Sequence, residues 1–494
     1  MSLGLLSLVS IGKENIYLSI QPEITFFKIA YKRYSNFSIE TVPQYFKTIP
    51  DFGRRVTVNI SKNADLLGLC YIYVSLPDII QSNSSFLPNG IKKFSWVKKI
   101  GLALIKTVDL EIGGILIERH YGDWLNIWYE LNIKYGKIPS YSKMIGDIEL
   151  LTEFTNGKKS YGLNIPLNFW FCQDTGLALP LVAMIHNDIK INVEFNDFNL
   201  CFKESPTNYI NVVEPYCLYK YKEIIEQNID GNIIVGEFIY YNNISQNLYY
   251  NKLVGDFIIP STSNPRYVIT GLTSLFQTNI IPNSKLIVDE PYFRFNIPSI
   301  LDSYLLVNYI YLDNEERTQF MKKPHQYLIP IVQNIQENIF YSTNVGYKIP
   351  FINCNKIIFW RAKLLSNDLC NDTFNYSLYP LVNSQEDIIQ KAQLILNSIS
   401  RMEPNNKELF SNLQIYINKF KSSEVGIYMY SFSLNPLDYQ PSGALNFSKI
   451  DDTYLQLSLN KLINYQNPVS LRAYGLQYNI FKVNKGLGNI VFYL

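Results

Sequence analysis

Lys98–Glu130, KKIGLALIKTVDLEIGGILIERHYGDWLNIWYE, holds two strand patterns, a two-glycine turn and a helix start in one short stretch. β-Branched and long aliphatic side chains dominate Leu102–Ile112, which suits a strand. Gly113-Gly114 readily takes the positive φ angles of a tight hairpin, and ILIER returns as the second strand. Asp123 is placed to cap a short helix in which Trp124, Ile127, Trp128 and Leu131 fall at i, i+3, i+4 and i+7. All four then share one face, a stripe for packing on the sheet.

The same reading extends outward in both directions. Arg55–Ile60, RVTVNI, alternates, and after the turn-like Ser61–Asp65 the run LLGLCYIYVSL, Leu66–Leu76, stops at Pro77. Ile24–Phe46 reads as extended chain beginning a first barrel, because β-branched and aromatic residues dominate it and Pro43 disfavours a helix. Tyr161–Cys172 and Leu181–Phe195 are strand-like on either side of the turn-rich Asp174–Pro180. From about Leu200 to Ser284 short strand pieces such as Gly236–Tyr241 and Tyr267–Thr270 stand among many Asn, Tyr, Pro and Gly residues. A structureless link of that length does not suit a compact domain, so we read a long inserted connection carrying small strands. Leu301–Leu312, LDSYLLVNYIYL, is expected to open a second strand series, continued by Lys356–Leu365 and Gly426–Leu434, with short helices at Ser384–Ile399 and Lys407–Ile417. No internal repeat is visible residue by residue.

Composition agrees with a two-domain β protein. At 494 residues the chain exceeds the size at which one core keeps growing. A 47% hydrophobic share with 17% charged residues argues against disorder, and 38 Tyr with 29 Phe favour half-buried pleated surfaces. A net charge of +2 provides no broad footprint for phosphate backbones, so nucleic acid is not the expected partner. The lysine pairs Lys92/Lys93, Lys98/Lys99, Lys158/Lys159 and Lys322/Lys323 are scattered and read as solvated loop charges. Cys70, Cys172, Cys201, Cys217, Cys354 and Cys370 lie far apart without a C-x-x-C, as expected of reduced, mostly buried thiols in a reducing cytoplasm. The opening MSLGLLSLVSIG lacks a basic n-region and residue 2 is Ser2, so neither a signal peptide nor N-myristoylation is expected. No apolar run reaches the length of a bilayer span.

Chemistry finds little support. His120, His186 and His325 have no partner at i+3 to i+5, and there is no G-x-S-x-G elbow and no phosphate-binding glycine loop. Asp289/Glu290 and Glu315/Glu316 are adjacent carboxylates, but neighbouring strand residues point to opposite faces and do not make a glycosidase pair. No catalytic, cofactor-binding or metal-binding residues are expected. Sequons at Asn36, Asn59, Asn83, Asn243, Asn371, Asn375 and Asn446 are of the number an Asn-rich chain produces by chance.

Several blocks, in one order along the chain, resemble a single family. They are ENIYLSIQPEITFFKIAYKRYSNFSIE (Glu14–Glu40), Trp96–Trp128 with LEIGG and RHYGDWLNIW, SKMIGD (Ser142–Asp147), FWFCQDTGLALPL (Phe169–Leu181), YIYLDNEER (Tyr309–Arg317), HQYL (His325–Leu328) and NPLDYQPSGALNFSKID (Asn435–Asp451). The family is the double jelly-roll major capsid protein of nucleocytoplasmic large DNA viruses, of mimivirus and phycodnavirus type. The resemblance implies an all-β fold of two consecutive eight-stranded antiparallel jelly-roll barrels with short helices and long loop insertions. It also implies a structural, non-enzymatic role: a homotrimer forming a pseudo-hexagonal capsomer that tiles an icosahedral shell, assembled in the host cytoplasm. Neighbouring capsomers, minor capsid proteins and the internal membrane region are the implied partners, and glycans on outward loops stay open. On this reading residues 1–22 form an N-terminal arm, 23–300 a first jelly roll with an insertion at about 200–290, and 301–494 a second. The opening SLVSIGKENIYLSI and the Asn-rich insertion are atypical, which keeps a divergent minor capsid paralogue as an alternative. A glycan-binding β-sandwich protein on the virion surface is the alternative from another class.

Overall fold

The computed structural model describes the chain except at residues 1–2, 81–93, 156, 215–216, 220–222, 243–245, 263–266, 285–286, 289–297, 380, 382–384, 423–424 and 494. Two sets of eight strands dominate it. The first comprises β1 (Phe37–Tyr45), β2 (Arg55–Asn59), β3 (Leu66–Leu76), β4 (Ile105–Ile112), β5 (Ile115–Tyr121), β6 (Tyr161–Pro166), β7 (Ile189–Phe195) and β8 (Asp302–Leu312). The second comprises β9 (His325–Asn334), β10 (Asn344–Lys348), β11 (Cys354–Leu364), β12 (Ile389–Leu396), β13 (Ile399–Ser400), β14 (Ile427–Ser431), β15 (Thr453–Leu459) and β16 (Val469–Asn484).

In the first set the sheets run β1-β8-β3-β6 and β2-β7-β4-β5, and in the second β9-β16-β11-β14 and β10-β15-β12-β13. Adding eight to each label of the first set gives the second, so the repeat absent from the residues is present in the topology. Each set is a two-sheet jelly-roll sandwich. Alternation explains why the strands form: in β2 Val56 and Val58 point inward between exposed or half-buried neighbours. The Gly113-Gly114 turn joins β4 to β5 with φ of +59° and +81°, as read from the sequence.

One strand is placed differently from expectation. Asp302–Leu312 does not open the second barrel. It lies between β1 and β3, with Val42 opposite Val307 and Cys70 opposite the same residue, and completes the first sandwich. The crossing into the second set comes after it, through the helix Asn314–Lys322. The connection from β7 to β8 therefore carries the whole insertion. That insertion is a sheet of its own, built on strands including 208–211, 224–229, 232–242 and 247–254, around Ile210, Ile225, Phe238, Tyr250 and Ile269.

Other differences are local. Ile24–Phe46 was expected to be extended throughout, yet only Phe37–Tyr45 pairs, and residues 5–41 are exposed. Two short helices, Leu3–Val9 and Lys13–Ser19, lie within the arm. Ser384–Ile399 is not helical: its described part holds β12, whose alternation is broken by a register shift between Ile389 and Lys391. Leu409–Ile417 is helical, as expected within Lys407–Ile417. Asp123 does not cap the 122–132 helix: Tyr121 occupies the cap position without a side-chain bond, and Asp123 sits in the first turn.

Strands β11 and β16 bind the two sandwiches into one body. Ile358, Trp360, Ala362 and Leu364 enter the core of the second, whereas Ile357 and Phe359 on the other face join the core of the first. A strand buried on both faces reads as continuous apolar sequence, which is the character of KIIFWRAKLL.

Candidate interface surfaces

The faces this chain can offer to partners are oriented by the junction between the sandwiches, and its chemistry begins with the one arginine in β11. Arg361 lies on the same side of the strand as Ile357 and Phe359 and is 1% exposed. Its Nε donates to Asp123 Oδ2 at 2.7 Å and its Nη2 to the same oxygen at 2.5 Å. Nη1 donates to Ser470 Oγ at 2.9 Å, and Nη2 also reaches Glu337 Oε1 at 2.9 Å. The other oxygen of Asp123 accepts from the Tyr376 hydroxyl at 2.7 Å. Two charge-assisted bonds converge on one carboxylate oxygen while the other accepts from Tyr376, and compensation of this kind is what lets a buried ion pair hold.

Burial by itself would raise the Asp123 carboxyl, but Arg361, Lys363 and Arg472, with the Tyr376 bond, outweigh it and hold the group at about 2. The folded value lies below the unfolded one, so the stabilisation is complete above about pH 4 and is lost as pH falls towards 2. We expect a loss of roughly 2 kcal/mol from this group across that window. Denaturation midpoints between pH 5 and pH 2 measure it, and Asp123→Asn should lack this component of the slope.

More ties cross the junction. Glu118 Oε1 accepts from the Val332 amide at 2.8 Å. Trp124 packs its ring 5.7 Å from Phe359 and 5.3 Å from Tyr474. Lys203 pairs with Asp372 at 2.8 Å, and Asn371 donates to the carbonyls of Asn199 and Phe202 at 2.7 Å each. The Gly488 amide donates to Asn187 Oδ1 at 2.8 Å, fastening the C-terminal hairpin to the first sandwich. Ties spread over this many elements fix the angle between the domains.

Outside the junction three surfaces stand out. The arm exposes Phe26, Phe27 and Ile29 almost fully. Strand β1 forms a sheet edge with Phe37, Ile39 and Tyr45 exposed. A cleft between the domains is lined by Trp128, Tyr141, Lys356 and Tyr439 among others.

The residues weighed for chemistry stay apart. His120 is fully buried and stacks on Phe169 at 4.7 Å, His186 lies on the turn that meets Gly486, and His325 contacts the Phe320 carbonyl at 2.6 Å. Among the described residues no three His, Cys, Asp or Glu side chains gather as metal ligands. Among them, too, no helix is long and apolar enough to cross a membrane. Asp289/Glu290, Lys92/Lys93, Asn83 and Asn243 fall outside the described residues, and Glu315/Glu316 sit on the 314–322 helix.

Two lysines read as solvated are buried instead. Lys99 donates to Glu130 at 2.5 Å and Asn126 at 3.0 Å, and Lys158 to the carbonyls of Leu150 and Glu153 at 2.7 Å each. All six cysteines are free, with Cys70, Cys172 and Cys201 buried. Asn371 and Asn375 spend their amide nitrogens on structural bonds, whereas Asn36, Asn59 and Asn446 are exposed. The sequence reading overlooked Arg361 and Lys356. The available signal was a cation within a run too apolar to have a solvent face.

Comparison with known proteins agrees with this geometry. Residues 25–219 match the family model described as major capsid protein N-terminus, and residues 316–489 match that of the large eukaryotic DNA virus major capsid protein. The chain is 35% identical to probable capsid protein 4 of Acanthamoeba polyphaga mimivirus, covering 99% of both chains. It is 27% identical to the major capsid protein of Phaeocystis pouchetii virus, again over 99% of each. Among solved structures, the Faustovirus major capsid protein superposes with a TM-score of 0.67 at 11% identity, covering 96% of this chain and 94% of that one. A quasi-atomic model of the PBCV-1 virus capsid gives 0.63 at 20% identity, over 95% and 100%. Both share the double jelly-roll fold with this chain.

Proposed function

Since the chain belongs to the major capsid proteins of large eukaryotic DNA viruses, we propose that three copies form a pseudo-hexagonal capsomer and that capsomers tile an icosahedral shell. The role is structural and its place is the virion capsid. One observation carries the finer reading: two sandwiches of the same sheet order are locked side by side by a shared core. Three such bodies about a threefold axis offer six similar edges, which suits a hexagonal lattice. Rigidity at the junction matters because each lattice contact can be modest when many must break together. We place assembly in the host cytoplasm, in keeping with six free thiols.

We assign Met1–Ile20 to the underside of the capsomer, against minor capsid proteins or the internal membrane region. Its two short helices bury nothing on the rest of the chain within the described residues. Light scattering coupled to size-exclusion chromatography tests the whole reading: a trimer with a hexagonal outline on imaging is expected, and a monomer at every concentration overturns it. Deleting residues 1–20 should leave trimers intact and impair shell assembly, and loss of trimers would sink the assignment of the arm.

A second reading, a capsid paralogue occupying fewer positions, has one observation in its favour. Identity is 35% to probable capsid protein 4 and 24% to capsid protein 1 of the same mimivirus. Quantitative mass spectrometry of purified virions separates the two, since a principal subunit outnumbers every other shell protein.

A further inference from the structure

The inter-domain cleft has a volume of about 760 Å³. Trp128, Tyr141 and Met144 wall it from the first domain, and Lys356 and Tyr439 from the second. That size is in the usual range for a site holding a compact ligand or a few side chains. Lys356 is the feature that asks for an occupant. It is only 6% exposed, its ammonium lies 5.3 Å over the Tyr478 ring, and that ammonium forms no ion pair or hydrogen bond among the described residues. Burial pushes its pKa down to about 8, with Asp438 opposing the shift. The stem is buried and the ammonium lines the cleft, where an incoming carboxylate would give it a charge-assisted bond and offset the cost of its burial.

The arm has the converse problem. Phe26 is 89% exposed, Phe27 97% and Ile29 94%, a run of bare apolar side chains of the kind that marks an interaction site. Glu23 stands three residues before Phe26, and Lys28 follows Phe27. The cleft carries both complements: Lys356 inside, and Asp174 and Asp438, both exposed, at its margin.

We propose that Glu23–Ile29 of one copy docks in the inter-domain cleft of a second copy, with Glu23 on the Lys356 ammonium and Phe26 and Phe27 against the aromatic wall. This rests on the trimer proposed above. A cyclic trimer joins two different patches of the same chain at each contact, and the arm and the cleft are two such patches. The arm leaves from β1, at one edge of the sheet β1-β8-β3-β6, whereas Pro166 of β6, at the opposite edge, lines the cleft. Capture here would tie each subunit to the next and hand residues 1–20 onward to the capsomer underside.

The test uses the full chain with benzoylphenylalanine in place of Phe27, irradiated in the oligomeric fraction. Covalent dimers and trimers on a denaturing gel are expected, with linked peptides that contain Trp128–Met144, Lys356 or Leu437–Tyr439. Lys356→Met and, separately, Glu23→Gln should each lower the yield about tenfold, as loss of a charged hydrogen bond does. Lys356→Arg should restore it. Links confined to one chain, links outside the cleft, or trimers that form without these links overturn the inference and leave the capsomer reading standing. A protein that stays monomeric by light scattering overturns both.

Discussion

Arg361→Met should destabilise the folded chain by about 3–5 kcal/mol, the cost of leaving one partner of a buried ion pair unpaired. The figure follows from what remains behind. Asp123 stays inside the junction, holding a bond from Tyr376 but stripped of both guanidinium contacts. Glu337 and Ser470 lose their contacts from the same side chain. Arg361→Lys should lose much of the same energy, because an ammonium cannot span Asp123, Glu337 and Ser470 with a planar fork. The double change Arg361→Met with Asp123→Asn should recover most of the loss, since no isolated charge is then buried. Denaturant midpoints at unchanged slope measure all three. If the double variant is as unstable as Arg361→Met alone, the pair does not act as a unit and this account of the junction fails.

That same arginine marks where sequence reading stopped. The hairpin at Gly113-Gly114 was legible because only a few turn types fit two glycines between strands, and the φ values of +59° and +81° agree. The helix stripe was legible too: Trp124, Ile127 and Leu131 are fully buried, with Trp128 partly so at the cleft. Periodicity records which face of a strand is apolar, not which strand lies beside it. So Asp302–Leu312 was recognisable as a strand but not as the partner of β1, some 260 residues earlier in the chain. Strand β12 was misread as helix because its bulge between Ile389 and Lys391 breaks the alternation and brings the spacing of Ile389 and Ala392 close to that of a helix. Lys99 reads as a solvated loop charge, and Arg361 goes unremarked within its apolar run. Only the packing of the second sandwich on the first shows that both are buried. The cleft and its lysine are built from segments more than 200 residues apart and have no local signature.

Trp124→Ala should cost about 3–5 kcal/mol, as truncation of a buried aromatic does, and should loosen the contact between the domains as well. Trp124 is fully buried, and its ring meets Trp128 within the same helix and Phe359 and Tyr474 across the junction. The alanine would leave a void between two rigid sheets, where the surroundings collapse least. Trp124→Phe separates packing from polarity. The indole Nε1 has no hydrogen-bond partner among the described residues, so phenylalanine removes an unsatisfied donor while keeping most of the aromatic contact. We expect a loss below about 1.5 kcal/mol for that change. A double-mutant cycle between Trp124→Ala and Phe359→Ala should show coupling of about 1 kcal/mol, the range for aromatic pairs in contact. Strict additivity would mean that the rings touch without transmitting rigidity. The assembly readout follows from geometry: a subunit whose two domains rock against each other presents lattice edges at variable angles. Trp124→Ala trimers should therefore form yet close few complete shells, while Trp124→Phe trimers close them normally.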